Sequence, residues 1–311
     1  MRLDRRACND LIYAMDRVRY AALVVGFTLF AWQVRLLKST HKFKVLNCAR
    51  QAGKSSVVSI IPAWRAKYTP RSWSIILAAT EDQASYDMLK VKECIDRDPT
   101  YPKQLRSSDS LVELANGSRI QVLCATEKSA RGVSKPSCII VDEASRVEDE
   151  SVTAGIIPML TDNPDCELIV PSTPYGRTGF FFRIFRDTSW ERYYVRSPYT
   201  PTGATTLEML MPEEKFREEQ AARGIIGYYS PRHMDYDHQC NVQLRNLGQR
   251  RYLQEQCGEF VEPETQLLSY SDIQRALNGG EHIEALKIGP LVRDDIQAFR
   301  EDTDDEAANN F

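Results

Sequence analysis

The stretch Phe43-Lys-Val-Leu-Asn-Cys-Ala-Arg-Gln-Ala-Gly-Lys-Ser-Ser56 decides the reading of this chain. Its first five residues, Phe43–Asn47, form a short run suited to a buried strand. From Lys54 onward the pattern turns helical as far as Lys67. The loop between ends in Gly-Lys-Ser, the residue types that cradle phosphate: backbone N–H groups of the loop and helix start surround it, and a glycine permits close approach. Arg50, Gln51, Ala52, Gly53, Lys54, Ser55 and Ser56 are therefore candidate phosphate-binding residues. Lys54 would reach the β and γ phosphates of ATP, and the Ser55 hydroxyl would bind Mg²⁺. The usual first glycine of such loops is replaced by Cys48, and a bare Gly-Lys-Ser also occurs at ordinary helix starts.

A partner stretch lies downstream. In Cys138-Ile-Ile-Val-Asp-Glu-Ala144, four apolar residues read as a buried strand, with two carboxylates emerging at its C-terminal end, where open α/β sheets bind ligands. Asp142 is the candidate Mg²⁺ ligand and Glu143 the candidate general base that polarises the attacking water. The plain alternative, two solvated loop acids, leaves their place on the most hydrophobic strand unexplained.

Working outward, Trp73–Ala78, Ile120–Cys124, Leu168–Val170 and, more weakly, Tyr193–Val195 read as further strands. Leu111–Leu114 pairs as a hairpin across Asn116-Gly117. Helical patterns cover Gln83–Cys94, Val152–Leu160 and Thr178–Arg186. Strands alternating with helices predict an α/β fold, a P-loop NTPase with a central, mainly parallel sheet flanked by helices. After Pro198 a loop rich in Pro, Thr and Gly leads to charged helical segments, Pro212–Arg223 and Asn246–Gln256. The expected division is an ATPase domain over 1–197, a small helical lid subdomain over 198–262 joined by N-terminal helices (Leu3–Arg19), and a remnant over 263–311. That last part holds a strand-and-helix fragment, Gln266–Leu277, and an acidic end expected to be disordered.

Composition excludes more than it selects. With 40 basic against 43 acidic side chains, no nucleic-acid footprint shows in bulk charge. Any such surface rests on local clusters such as Arg245–Arg251, which reads equally as a solvated helix face. The longest apolar run, Ala21–Trp32, is far short of the ~20 residues a membrane-spanning helix needs. The 8 cysteines are scattered without a Cys-x-x-Cys pair and read as reduced, mostly buried thiols. His233, His238 and Cys240 lack a second ligand pair at zinc spacing and read as part of a polar helix or loop.

Together the two phosphate motifs resemble those of the large terminase subunits that package DNA in tailed phages. That family favours a phosphate loop of the form Arg-Gln-x-Gly-Lys-Ser/Thr without its first glycine, as in Arg50–Ser55, so the Cys48 departure fits the resemblance. Trp32-Gln33 is similar to the family's adenine-side element, the plain alternative being core and surface residues of a helix. Ser129-Ala-Arg-Gly132 resembles a segment carrying an arginine finger, which makes Arg131 a candidate in trans and leaves Arg50 as the competing finger in cis. Pro171-Ser-Thr-Pro174 matches a coupling motif, with Ser172, Thr173 and Pro174 following a strand end. Cys257-Gly-Glu-Phe260 looks like the join to a nuclease domain.

The resemblance spans about residues 20–278 and implies an ATP- and Mg²⁺-dependent motor that moves double-stranded DNA into a procapsid. It further implies a homo-oligomeric ring docked on a portal protein, a small terminase subunit as partner, no membrane, and the cytoplasm of an infected bacterial host. Nuclease activity is not expected from this chain, because Asp294, Asp295, Asp302 and Asp304 lie in a terminal stretch without strands around them. A helicase-like ATPase and a nucleotide-binding assembly module without turnover remain the alternatives.

Overall fold

The computed structural model describes residues 5–125, 133–230 and 236–262. Eleven strands occur among them: β1 (Phe43–Cys48), β2 (Trp73–Ala78), β3 (Gln104–Ser107), β4 (Leu111–Leu114), β5 (Arg119–Cys124), β6 (Cys138–Val141), β7 (Glu167–Ser172), β8 (Glu191–Arg196), β9 (Tyr199–Pro201), β10 (Leu207–Met209) and β11 (Ile225–Tyr229). Nine of them make one sheet in the order β11-β8-β1-β7-β6-β2-β5-β4-β3. Every pairing from β11 to β5 is parallel, and the β4 and β3 pairings that follow are antiparallel. The helices are α1 (Arg5–Met15), α2 (Ala31–Lys38), α3 (Lys54–Tyr68), α4 (Glu81–Asp96), α5 (Asp149–Asp162), α6 (Gly179–Arg186), α7 (Glu213–Ala222) and α8 (Tyr236–Glu255), with a short π-helical turn at Tyr20–Val24.

Period-two alternation on strands covered from both sides divides the core into two layers. On β6, Cys138 and Ile140 join Leu46, Ile76 and Ile169 in one cluster, against Val57, Ile60 and Ile61 of α3 and Met88 and Val91 of α4. Ile139 and Val141 point the other way and pack with Ile75, Leu77, Val152 and Ile156 of α5 and Phe181 of α6. All four β6 side chains are buried, which accounts for an apolar run without polar breaks. The Asn116-Gly117 turn brings β4 beside β5, with Gly117 at φ 82° where a side chain would be strained.

Two expectations change. The chain after Pro198 is not only helical. Ile225-Ile-Gly-Tyr-Tyr229, rich in β-branched and aromatic residues, adds β11 to the sheet edge beside β8. Its Gly227 lets α7 lie close, since a Cβ there would come 2.6 Å from Gln220 Cγ. The chain as far as Val261 is accordingly one compact unit. The N-terminal helices also sit elsewhere. They pack on α3, with Trp64 donating to Tyr13 O at 2.8 Å and Tyr68 to Asp10 at 2.9 Å. The Gln266–Leu277 fragment and the acidic end lie outside the described residues.

Candidate nucleotide site

The loop after β1 turns on two residues with positive φ, Gln51 at 60° and Gly53 at 86°, before α3 begins at Lys54. Cys48 is not among the positive-φ residues; it closes β1 in extended backbone and is fully buried, so this position needs no glycine. Burial pushes its thiol up to about 12, which keeps it an inert core group. Gly53 cannot be replaced freely, because a Cβ there would meet Gln33 Nε2 at 2.8 Å.

Lys54 is buried and donates to Thr173 Oγ1 at 2.9 Å. Ser55 Oγ donates to Asp142 Oδ2 at 3.3 Å, which brings the phosphate loop and the Asp-Glu strand end into contact. Asp142 is 1% exposed and follows β6 directly. Burial raises its pKa and the neighbouring Glu143 charge adds to the rise, while Lys54 opposes both. Glu143 is partly exposed and held at φ 50°, a left-handed conformation costing a side-chain-bearing residue on the order of 1–3 kcal/mol. Its N–H donates to Asp142 Oδ1 at 3.0 Å, so the strained turn also fixes the aspartate.

The coupling segment is wired into the same place. Ser145, two residues past Glu143, donates from its hydroxyl to Thr173 O at 2.7 Å and from its N–H to Ser172 Oγ at 3.1 Å. Lys54, Thr173, Ser172, Ser145 and Glu143 therefore form one connected path. Beside it opens a polar cleft of about 210 Å³ lined by Arg50, Gln83, Glu143, Arg146, Thr173 and Pro174, among others. That is below the roughly 300–1,000 Å³ of a whole-ligand pocket.

The adenine-side pair is corrected in part. Trp32 is 1% exposed inside the core and offers no face for a base to stack on. It sits one position along α2 from Gln33, on the stripe with Leu36, and the large apolar ring wins the buried face. Gln33 does reach the loop, but its amide is committed. Nε2 donates to Gly53 O at 3.1 Å and Oε1 accepts from Phe30 N at 2.9 Å, so it buttresses the phosphate loop. The partly exposed aromatic next to it is Phe30.

Arg50 lines the cleft and pairs with Glu255 at 3.1 Å. Arg131 lies outside the described residues, as do His233 and the side chain of His238. Cys240 is buried with Leu244, Tyr252 and Cys257, and no metal-binding cluster of His, Cys, Asp and Glu occurs among the described residues.

Four site residues escape the sequence reading: Gln83, Asp87, Arg146 and Glu255. Gln83 Nε2 donates to Asp142 Oδ2 at 3.1 Å and to Asp87 Oδ1 at 2.9 Å. Asp87 carries a readable signal, an acid on the helix stripe that also holds Val91, Cys94 and Ile95. Arg146 is exposed on the turn after Glu143 and carries a second guanidinium to the cleft.

No model of a known protein family matches this sequence. Solved structures do. The chain is similar to the ATPase domain of the large terminase of Thermus phage P74-26, with 18% identity and a TM-score of 0.56 over 77% of this chain and 97% of that domain. It is likewise similar to the large terminase of bacteriophage HK97, with 15% identity and a TM-score of 0.56 over 78% of this chain and 55% of that protein. The chain thus has the fold of a phage large-terminase ATPase domain, and it spans about half the length of the HK97 protein. No helix among the described residues is long and apolar enough to cross a membrane.

Proposed function

We propose that this chain is the ATP-hydrolysing motor of a viral DNA-packaging terminase, driving double-stranded DNA into a procapsid. One observation carries the reading: Lys54, Ser55 and Asp142 converge, with Glu143 adjoining, at the C-terminal ends of parallel strands.

Loop and helix N–H groups receive the phosphates, and Lys54 exchanges its bond to Thr173 for one to phosphate oxygen. The donor set of a hydroxyl and a buried carboxylate suits Mg²⁺, which would be held by Ser55 and Asp142. Bound there, the ion neutralises charge on the phosphates. Glu143 orients and deprotonates the attacking water. Because Thr173 bonds Lys54 through its hydroxyl and Ser145, on the Glu143 turn, through its carbonyl, loss of the γ-phosphate changes the bonding at the end of β7. Arg131 acts as a finger in the site of a neighbouring subunit of a ring, with Arg50 the competing group in cis. The portal protein, the small terminase subunit and the host cytoplasm belong to the same reading.

ATP turnover with and without double-stranded DNA tests it. The motor predicts DNA-stimulated hydrolysis that K54A abolishes, and that E143Q abolishes with ATP binding retained. Stimulation by single strands with unwinding would turn the reading to a helicase-like enzyme, and binding without turnover to an assembly module. Mixing R131A with E143Q subunits tests the trans finger: activity that stays absent at every ratio removes it.

A further inference from the structure

Asp87 has no stabilising reason to be where it is. It lies on the inward face of α4, 5% exposed, on a stripe otherwise occupied by Met88, Val91, Cys94 and Ile95. Its Oδ1 accepts from Gln83 at 2.9 Å, and its Oδ2 has no hydrogen-bond partner. A buried carboxylate oxygen left in that state costs free energy. Gln83 uses one amide nitrogen to bridge Asp87 and Asp142, and so fixes the spacing of two carboxyl groups from different elements. Between them, Ser55, Ser59, Asp87 and Asp142, with three apolar side chains of α3, β2 and β6, line a cavity of about 10 Å³, close to the room that one water-sized sphere takes.

We propose that Asp87 is a further anchor of the nucleotide's divalent cation, accepting through its unpartnered Oδ2 from a water of the metal shell, with Gln83 as the strut that spaces it from Asp142. This rests on the nucleotide-site reading above. Mg²⁺ keeps several of its waters when bound by a protein, so an outer carboxylate has a donor to meet. Such outer partners commonly carry about 10–100-fold in metal affinity. The rival account makes Asp87 a neutral hydrogen-bonding neighbour of Asp142 with no part in holding the metal.

The two accounts separate on the D87N variant of the full chain, because asparagine keeps the shape and hydrogen bonding of a neutral acid and removes the anionic oxygen. Mn²⁺ binding is measured by electron paramagnetic resonance at saturating ADP, alongside ADP affinity in EDTA. The expected result is about a 10-fold or larger rise in the Mn²⁺ half-saturation concentration with ADP affinity in EDTA unchanged. D87S supplies the same comparison should D87N fail to fold, and Q83L gives a smaller rise in the same direction. A D87N half-saturation point equal to that of the wild type overturns the role of Asp87 and leaves the nucleotide site standing. A wild type whose ADP binding is indifferent to Mn²⁺ removes the nucleotide-site reading and this proposal together.

Discussion

The two ends of the central sheet treat their buried acids in opposite ways. At the N-terminal end of β7, Glu167 meets Arg17 at 3.0 Å, Lys44 at 2.7 Å and, in a short contact, Arg65. Burial alone would raise its pKa, but Arg17 and Lys44, joined by Arg65, hold it at about 2. At the C-terminal end of β6, Asp142 and Asp87 lie close together with Glu143 beside them; burial raises both, the Glu143 charge adds to the rise of Asp142, and the Asp142 charge adds to that of Asp87. Satisfied charge stabilises a fold; charge left short of partners marks where a ligand belongs. The same sheet thus carries a compensated acid at one end of its strands and crowded acids at the other.

The largest expected effect tests the chemical end. E143Q should lower ATP turnover by about 10²–10⁴-fold while the melting temperature holds or rises, because it removes the proposed general base and one of three crowded acids. Steady-state hydrolysis and a thermal scan on the same sample measure both.

E167Q is the mirror experiment. It leaves three cations around a neutral group and should cost roughly 3–5 kcal/mol in denaturant unfolding, with ADP affinity of the folded fraction unchanged. The effect has a pH signature. Since the folded-state pKa of about 2 lies below the ordinary 4.5, the ionised Glu167 contributes fully above 4.5 and loses that contribution as pH falls towards 2. The stability gap between wild type and E167Q should close over that window. A gap constant from pH 5 to 2.5 would break the comparison.

Two smaller effects sharpen it. G53A forces a side chain into the left-handed region against Gln33 Nε2, at a cost of about 1–2 kcal/mol, and should weaken ADP binding more than overall stability. E255A removes the pair with Arg50, whose side chain is 61% exposed, and should change stability by no more than ~1 kcal/mol. Calorimetric binding and denaturant midpoints distinguish these two outcomes.

Much of this was legible in the residues. Trp73–Ala78, Cys138–Val141 and Leu111–Leu114 read to their observed bounds, because short apolar runs between turn signals leave little room for another structure. Lys54, Ser55, Asp142 and Glu143 were found as strand-end motifs, and the fold brings them together as that reading requires. What escaped was long-range. β11 carries no strand reading in the sequence because Gly227 interrupts its pattern, and a side chain there would meet Gln220 of α7. Helix α8 starts ten residues before the expected Asn246 and continues through a kink at Gly248, where φ is 75°. The resemblance puts Trp32 on the adenine side because an aromatic beside a glutamine looks alike whether its ring is buried or open. Asp87 shows in the sequence only as an acid on an apolar stripe and Gln83 not at all, because both take their meaning from Asp142, which lies 55 and 59 positions further along the chain.

The phosphate loop also hangs on the far end of the described chain. Arg50 N–H donates to Glu255 O at 2.6 Å, 205 positions away in sequence, and Asn47 Nδ2 donates to Gly258 O at 2.8 Å. Contacts that span so much chain close late, because the entropy of the intervening loop must be overcome first. In a refolding experiment the sheet should therefore assemble before the loop acquires its final shape, and nucleotide affinity should be the last property to return.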